Sequence, residues 1–160
     1  MGFRKPALGA VAVGAKTWDM RVATPANLRE CAVGSVVCGW EKGFACDYRV
    51  VARRWYPTPG AAWSALNAVG CASRPFPRVA FPQPPATEAE ADRLYGQFCA
   101  RERWIGVGVV LLGVEPVRCA VHENGGRVVH GDLPPYALEW IAGGLVPATP
   151  FVKSLRAADS

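Results

Sequence analysis

Residues 35–56 read SVVCGWEKGFACDYRVVARRWY. This segment is a β-hairpin: Ser35 to Trp40 runs into Glu41-Lys42-Gly43, and Phe44 to Tyr56 continues as a long strand. Three loop residues with glycine last fit a type I turn followed by a bulge, because glycine enters the left-handed region without a Cβ penalty. That register sets Trp40 opposite Phe44 and Cys38 opposite Cys46. Alternation along the second strand puts Tyr48, Val50 and Ala52 on one face, read as inward. Arg49, Val51, Arg53 and Trp55 fall on the other, read as outward.

Toward the N-terminus, Trp18 to Val22 reads as a short strand, and Pro25 to Cys31 as one helical turn or a loop. Arg4 and Lys5 before the apolar run Pro6 to Ala15 have the layout of a secretory leader. The run is rich in Gly and Ala with a single Leu, however, and Leu8 to Val13 is read instead as a first strand. Toward the C-terminus, Thr58 is a good N-cap and Pro59 a good first helical residue, for a helix through Trp63 and Leu66 to Gly70. A Pro-rich loop, residues 71–86, follows. Thr87 and Glu90 then form a capping box for a helix reaching about Arg103. Ile105 to Val114 is apolar apart from its glycines, as in a central strand covered on both faces. A second hairpin, Val117 to His122 and Arg127 to His130, turns at Asn124-Gly125-Gly126. Asp132 caps a short helix, Pro134 to Ala142, that stops at Gly143-Gly144. Leu145 to Val152 reads as a last strand, and residues 153–160 as a loose polar tail.

Hairpins and helices in this order lack the strict βαβ alternation of a parallel sheet. The fold class is therefore α+β: a mixed, mainly antiparallel sheet built from two hairpins and a central strand, with two or three helices packed on it. Its 160 residues are the size of one domain, and no linker or repeat divides residues 1–160. A hydrophobic fraction of 51% with 19% charged residues is a globular composition. No apolar run is long enough to span a bilayer, which takes about 20 residues, so no membrane partner is expected. The six cysteines include no C-x-x-C pair. They are read as small core residues of a reduced, cytoplasmic protein, with a Cys38–Cys46 disulfide as the oxidised alternative.

Three chemistries are open. A two-residue turn in the second hairpin places Cys119 opposite His130, about 5 Å apart on one face. With Asp132 nearby, the three supply a nucleophile, a base and an orienting carboxylate. A three-residue loop pairs Ala120 with His130 instead. Mid-strand also gives a thiol none of the help of a helix N-terminus. No P-loop, G-x-S-x-G elbow or H-E-x-x-H is present, and neither a metal site nor a cofactor is expected. The net charge of +5, with 14 arginines against four lysines, permits nucleic acid. Arg49, Arg53 and Trp55, flanked by Arg54 and Tyr56, are the candidate strip, extended by Arg74, Arg78, Arg101 and Arg103. Finally, six tryptophans and the Pro-rich loop with Phe76 and Phe81 have the make-up of a protein interface. With no convincing catalytic set, the leading expectation is a non-enzymatic protein-interaction or structural subunit of an oligomer or larger assembly. A small Cys/His hydrolase or transferase and an Arg/aromatic nucleic-acid-binding module are the alternatives.

Overall fold

The computed structural model describes residues 1–3, 6–68, 85–98 and 103–158. Phe76, Phe81, Cys71, Cys99, Arg74, Arg78, Arg101 and most of the Pro-rich loop lie outside them. The chain runs α1 (Ala7–Ala12), β1 (Trp18–Val22), α2 (Pro25–Glu30), β2 (Val36–Glu41), β3 (Phe44–Tyr56), α3 (Pro59–Ala68), α4 (Glu88–Phe98), β4 (Val109–His122), β5 (Val128–His130), α5 (Pro135–Ala142) and α6 (Pro150–Ala158). The fold is α+β. Its sheet has the order β1-β4-β3-β2, with β5 also on β4, and every strand pairing is antiparallel. No helix among the described residues is long and apolar enough to cross a membrane.

β4 is the spine. Its first half, Val109 to Val114, is buried on both faces, as the unbroken apolar run requires. Val110, Leu112 and Val114 join Tyr48, Val50 and Val37 beneath Val11 of α1. Val109 and Leu111 meet Trp63, Leu66 and Ala91 from α3 and α4 on the opposite face. The far end of the α1 face is closed by Leu8, Ala12, Phe44, Cys46 and Cys119 against Leu133, Ala137, Val146 and Val152. β4 does not stop at Pro116: the two expected strands are one. Proline cannot donate to the ladder, and the register shifts there, Asp47 facing Arg118 and Tyr48 facing Pro116.

The helix starts are set by local chemistry. The Ala61 amide donates to Thr58 Oγ1 at 3.0 Å, and the Glu90 amide to Thr87 Oγ1 at 3.2 Å. The Glu90 carboxylate reaches back to the Ala86 amide, 2.8 Å away. Thr24 caps α2 in the same way, accepting from the Asn27 amide.

Four expectations are corrected. Leu8 to Val13 is not a strand but the body of α1. Because that helix is buried nearly all round, it lacks the polar stripe that marks a helix in sequence. Its Gly9 sits where a Cβ would overlap the Tyr136 ring, so α1 and α5 approach closely only because residue 9 is glycine. Leu145 to Val152 is not a strand either. Thr149 accepts from the Val152 amide at 3.3 Å and Pro150 opens α6, so the tail is helical through Ala158. The first hairpin turns on two residues, Lys42-Gly43. Glu41 faces Phe44, Trp40 faces Ala45 and Gly39 faces Cys46, which puts Cys38 and Cys46 on opposite faces and removes the Cys38–Cys46 bridge. Asp132 does not cap α5: its carboxylate accepts from the neighbouring Leu133 amide, and Pro134 occupies the cap position.

Candidate functional site: a charge cluster under the first helix

β1 alternates. Met20 packs toward α3 and α4, with Trp18 beside it. Asp19 and Arg21, opposite Leu112 and Val110, project to the α1 face. Lys16 joins them from the loop after α1, where its amide donates to the Ala10 carbonyl at 3.0 Å. The Lys16 ammonium donates to Asp19 Oδ1 (2.9 Å) and to the Trp18 carbonyl (2.9 Å). Arg21 Nε donates to Asp19 Oδ2 at 2.6 Å and Arg21 Nη1 to the Gly2 carbonyl at 3.0 Å. The side chains of Lys16 and Asp19 are only 6% and 7% exposed, that of Arg21 20%. The guanidinium lies 4.4 Å above the Phe3 ring, which meets Tyr48 edge-on at 5.9 Å.

Burial works against the Asp19 carboxylate, but the charges of Arg21 and Lys16 outweigh it and hold Asp19 below the usual carboxylate range. Burial likewise opposes the Arg21 charge, yet Asp19 raises its pKa on balance. The cluster carries two cations and one carboxylate. A buried charge is tolerated when paired and hydrogen-bonded; here one positive charge is left over.

Arg53 adds to this. Along β3, Val50 faces Val114, but Ala52 faces Gly113, so Val51 is an extra, bulged residue. The bulge fits because Gly113 has no Cβ; one built there would lie 3.2 Å from the Ala52 Cβ. A one-residue insertion reverses which face the following side chains take. Arg53 therefore sits opposite Leu112 and Trp55 opposite Val110. Two cross-sheet rows result, Asp19–Leu112–Arg53 and Arg21–Val110–Trp55. Arg53 Nη1 donates to the Leu28 carbonyl at 2.7 Å near the end of α2. The Trp55 indole N–H donates to the Val107 carbonyl at 2.9 Å, which fixes a ring that is 58% exposed. Buried Cys31 lies among these charges. Burial pushes its thiol up, against the opposing effect of Arg21.

Arg49 is not part of this group. It faces Val36 and Glu115 on the opposite, open face, so the bulge divides the expected Arg49/Arg53/Trp55 strip. The Cys119/His130/Asp132 set is not assembled either. His130 faces Ala120, while Cys119 turns the other way to face Cys46 and donates its thiol to the Asp132 carbonyl at 3.2 Å. Burial pushes the Cys119 thiol up to about 12, the reverse of nucleophile activation. Among the described residues no group of three His, Cys, Asp or Glu side chains could hold a metal ion.

No family model and no curated protein matches the chain. Two solved structures do. The crystal structure of hypothetical protein PH0355 aligns with a TM-score of 0.54 and 20% identity over 73% of this chain and 96% of that one. The solution structure of protein PF0455 from Pyrococcus furiosus aligns with a TM-score of 0.51 and 22% identity over 73% and 94%. The likeness is one of fold.

Proposed function

We propose that the chain is a non-enzymatic binding module that takes single-stranded nucleic acid at exposed Arg53 and Trp55, with the buried Lys16–Asp19–Arg21 cluster supplying excess positive charge behind them. One observation carries this reading: an exposed arginine and an exposed indole lie beside a buried cluster in which two cations face one carboxylate. Such a site attracts a polyanion, and an exposed, anchored indole in the same cross-sheet row offers a face on which a base stacks. Arg53 is the residue to change first, because it is exposed and holds no buried carboxylate. Fluorescence anisotropy of a labelled single-stranded oligonucleotide should report affinity that falls steeply with salt. Arg53→Ala should weaken binding several-fold and reduce the salt slope by about one, while lowering the melting temperature only slightly through loss of the bond to the Leu28 carbonyl. No binding at low salt, or binding indifferent to Arg53, rejects the reading.

A second reading, a protein-interaction subunit, is favoured by a different observation. Val36, Trp40 and Val51 are each exposed along the open side of β2 and β3, with Trp40 58% exposed. Large apolar side chains exposed along one open sheet face suit a partner surface. The four described cysteines are free, and this supports a reducing, cytoplasmic setting for either role.

A further inference from the structure

We propose that Cys46 and Cys119 form an intramolecular disulfide that staples β3 to β4 when the protein meets a disulfide oxidant. The two residues are direct cross-strand partners, and the hydrogen bonds around them identify the kind of pair. The His122 amide donates to the Gly43 carbonyl at 2.9 Å. Bonded and non-bonded pairs alternate along an antiparallel ladder, and Cys46 lies three positions on from Gly43 with the register unshifted between them. Cys46/Cys119 is therefore a non-hydrogen-bonded pair. The opposite edge agrees: the Cys119 carbonyl points away from β3 and accepts from the Gly131 amide at 2.8 Å. Such pairs have Cα atoms about 4.5 Å apart, inside the roughly 4.4–6.8 Å range of disulfides.

Both side chains occupy the same apolar cluster, so both sulfurs lie on the same face of the sheet. Cys38 does not compete, because it lies on the opposite face and is exposed. In the reduced protein each thiol donates to a carbonyl, Cys119 to Asp132 (3.2 Å) and Cys46 to Asp47 (3.7 Å). Burial raises both thiols, which makes exchange slow while the helices cover them. Oxidation therefore takes place on the refolding chain. With oxidised glutathione, one thiolate attacks the glutathione disulfide and displaces one glutathione thiolate. The second cysteine then attacks the mixed disulfide and displaces the other. Two protein thiols lose two protons and two electrons, and one glutathione disulfide becomes two thiols.

The test is refolding of the full chain from urea in a glutathione redox buffer, followed by alkylation of remaining thiols and peptide mapping by mass spectrometry. The expected product is a Cys46–Cys119 cross-linked peptide 2 Da lighter than its reduced parts, in wild type and in Cys38→Ser alike. The oxidised protein should melt higher than the reduced one. Cys119→Ser should lose the cross-link while its reduced form keeps the wild-type circular dichroism spectrum. A bridge through Cys38 or any other cysteine, or full alkylation of Cys46 and Cys119 in the refolded wild type, overturns the proposal.

Discussion

Asp19 and Asp47 each meet an arginine Nε at nearly the same distance, 2.6 Å from Arg21 and 2.5 Å from Arg118. The contacts differ in their surroundings. Asp19 is sealed under α1 with a second cation, Lys16, on its other oxygen, whereas the Arg118 side chain is 71% exposed on the open face of β4. Distance alone would rank the pairs as equals. Burial separates them, because a pair in water gains little over its hydrated parts, and a buried pair cannot lose one member without stranding the other. The two faces of the sheet thus use the same ion-pair chemistry for different ends. On the open face it decorates a surface; under α1 it holds cations in place beside a carboxylate that does not neutralise them all.

The largest expected effect comes from breaking the buried member. Asp19→Ala leaves Lys16 and Arg21 facing each other without their counter-ion and should cost about 3–5 kcal/mol in urea unfolding. The milder Asp19→Asn gives the pH test. The folded pKa of Asp19 lies below its unfolded value, so the unfolded chain takes up the proton first as pH falls. The stabilisation is complete above the unfolded value of about 3.9 and is lost as pH falls through the folded one. The stability gap between wild type and Asp19→Asn should be constant near neutrality and shrink below about pH 4. A gap that persists to lower pH contradicts the assignment. The smallest effect belongs to the surface member: Arg118→Ala should change stability by no more than about 1 kcal/mol, and less as salt is added.

The sequence carries some of this and not the rest. The hairpin at residues 35–56, the central apolar strand and the helix starts at Thr58-Pro59 and Thr87 are readable because each rests on short-range chemistry. Thr149-Pro150 has the same form as Thr58-Pro59, and the helix it opens was available to the same argument. α1 was not: its burial all round leaves no period to detect. The turn at Lys42-Gly43 shows how one residue more or less in a loop redirects a register, and the bulge at Val51 does the same within a strand. Neither leaves a composition signature, which is why simple alternation groups Arg49 with Arg53 and a three-residue loop pairs Cys38 with Cys46. The charge cluster was hidden for a plainer reason. Asp19 and Arg21 alternate with Trp18, Met20 and Val22, the pattern of a strand with one face in water. Here both faces are covered, and the polar positions became the interior site.

Nucleic-acid binding at Arg53 and Trp55 is tested most directly by a backbone-amide NMR titration of the protein with a single-stranded oligonucleotide at low salt. Shift changes are expected to concentrate at Arg53 to Trp55 and to be reversed on adding salt. Changes confined to Val36 to Val51 on the open face, or none at all, would contradict binding at that site.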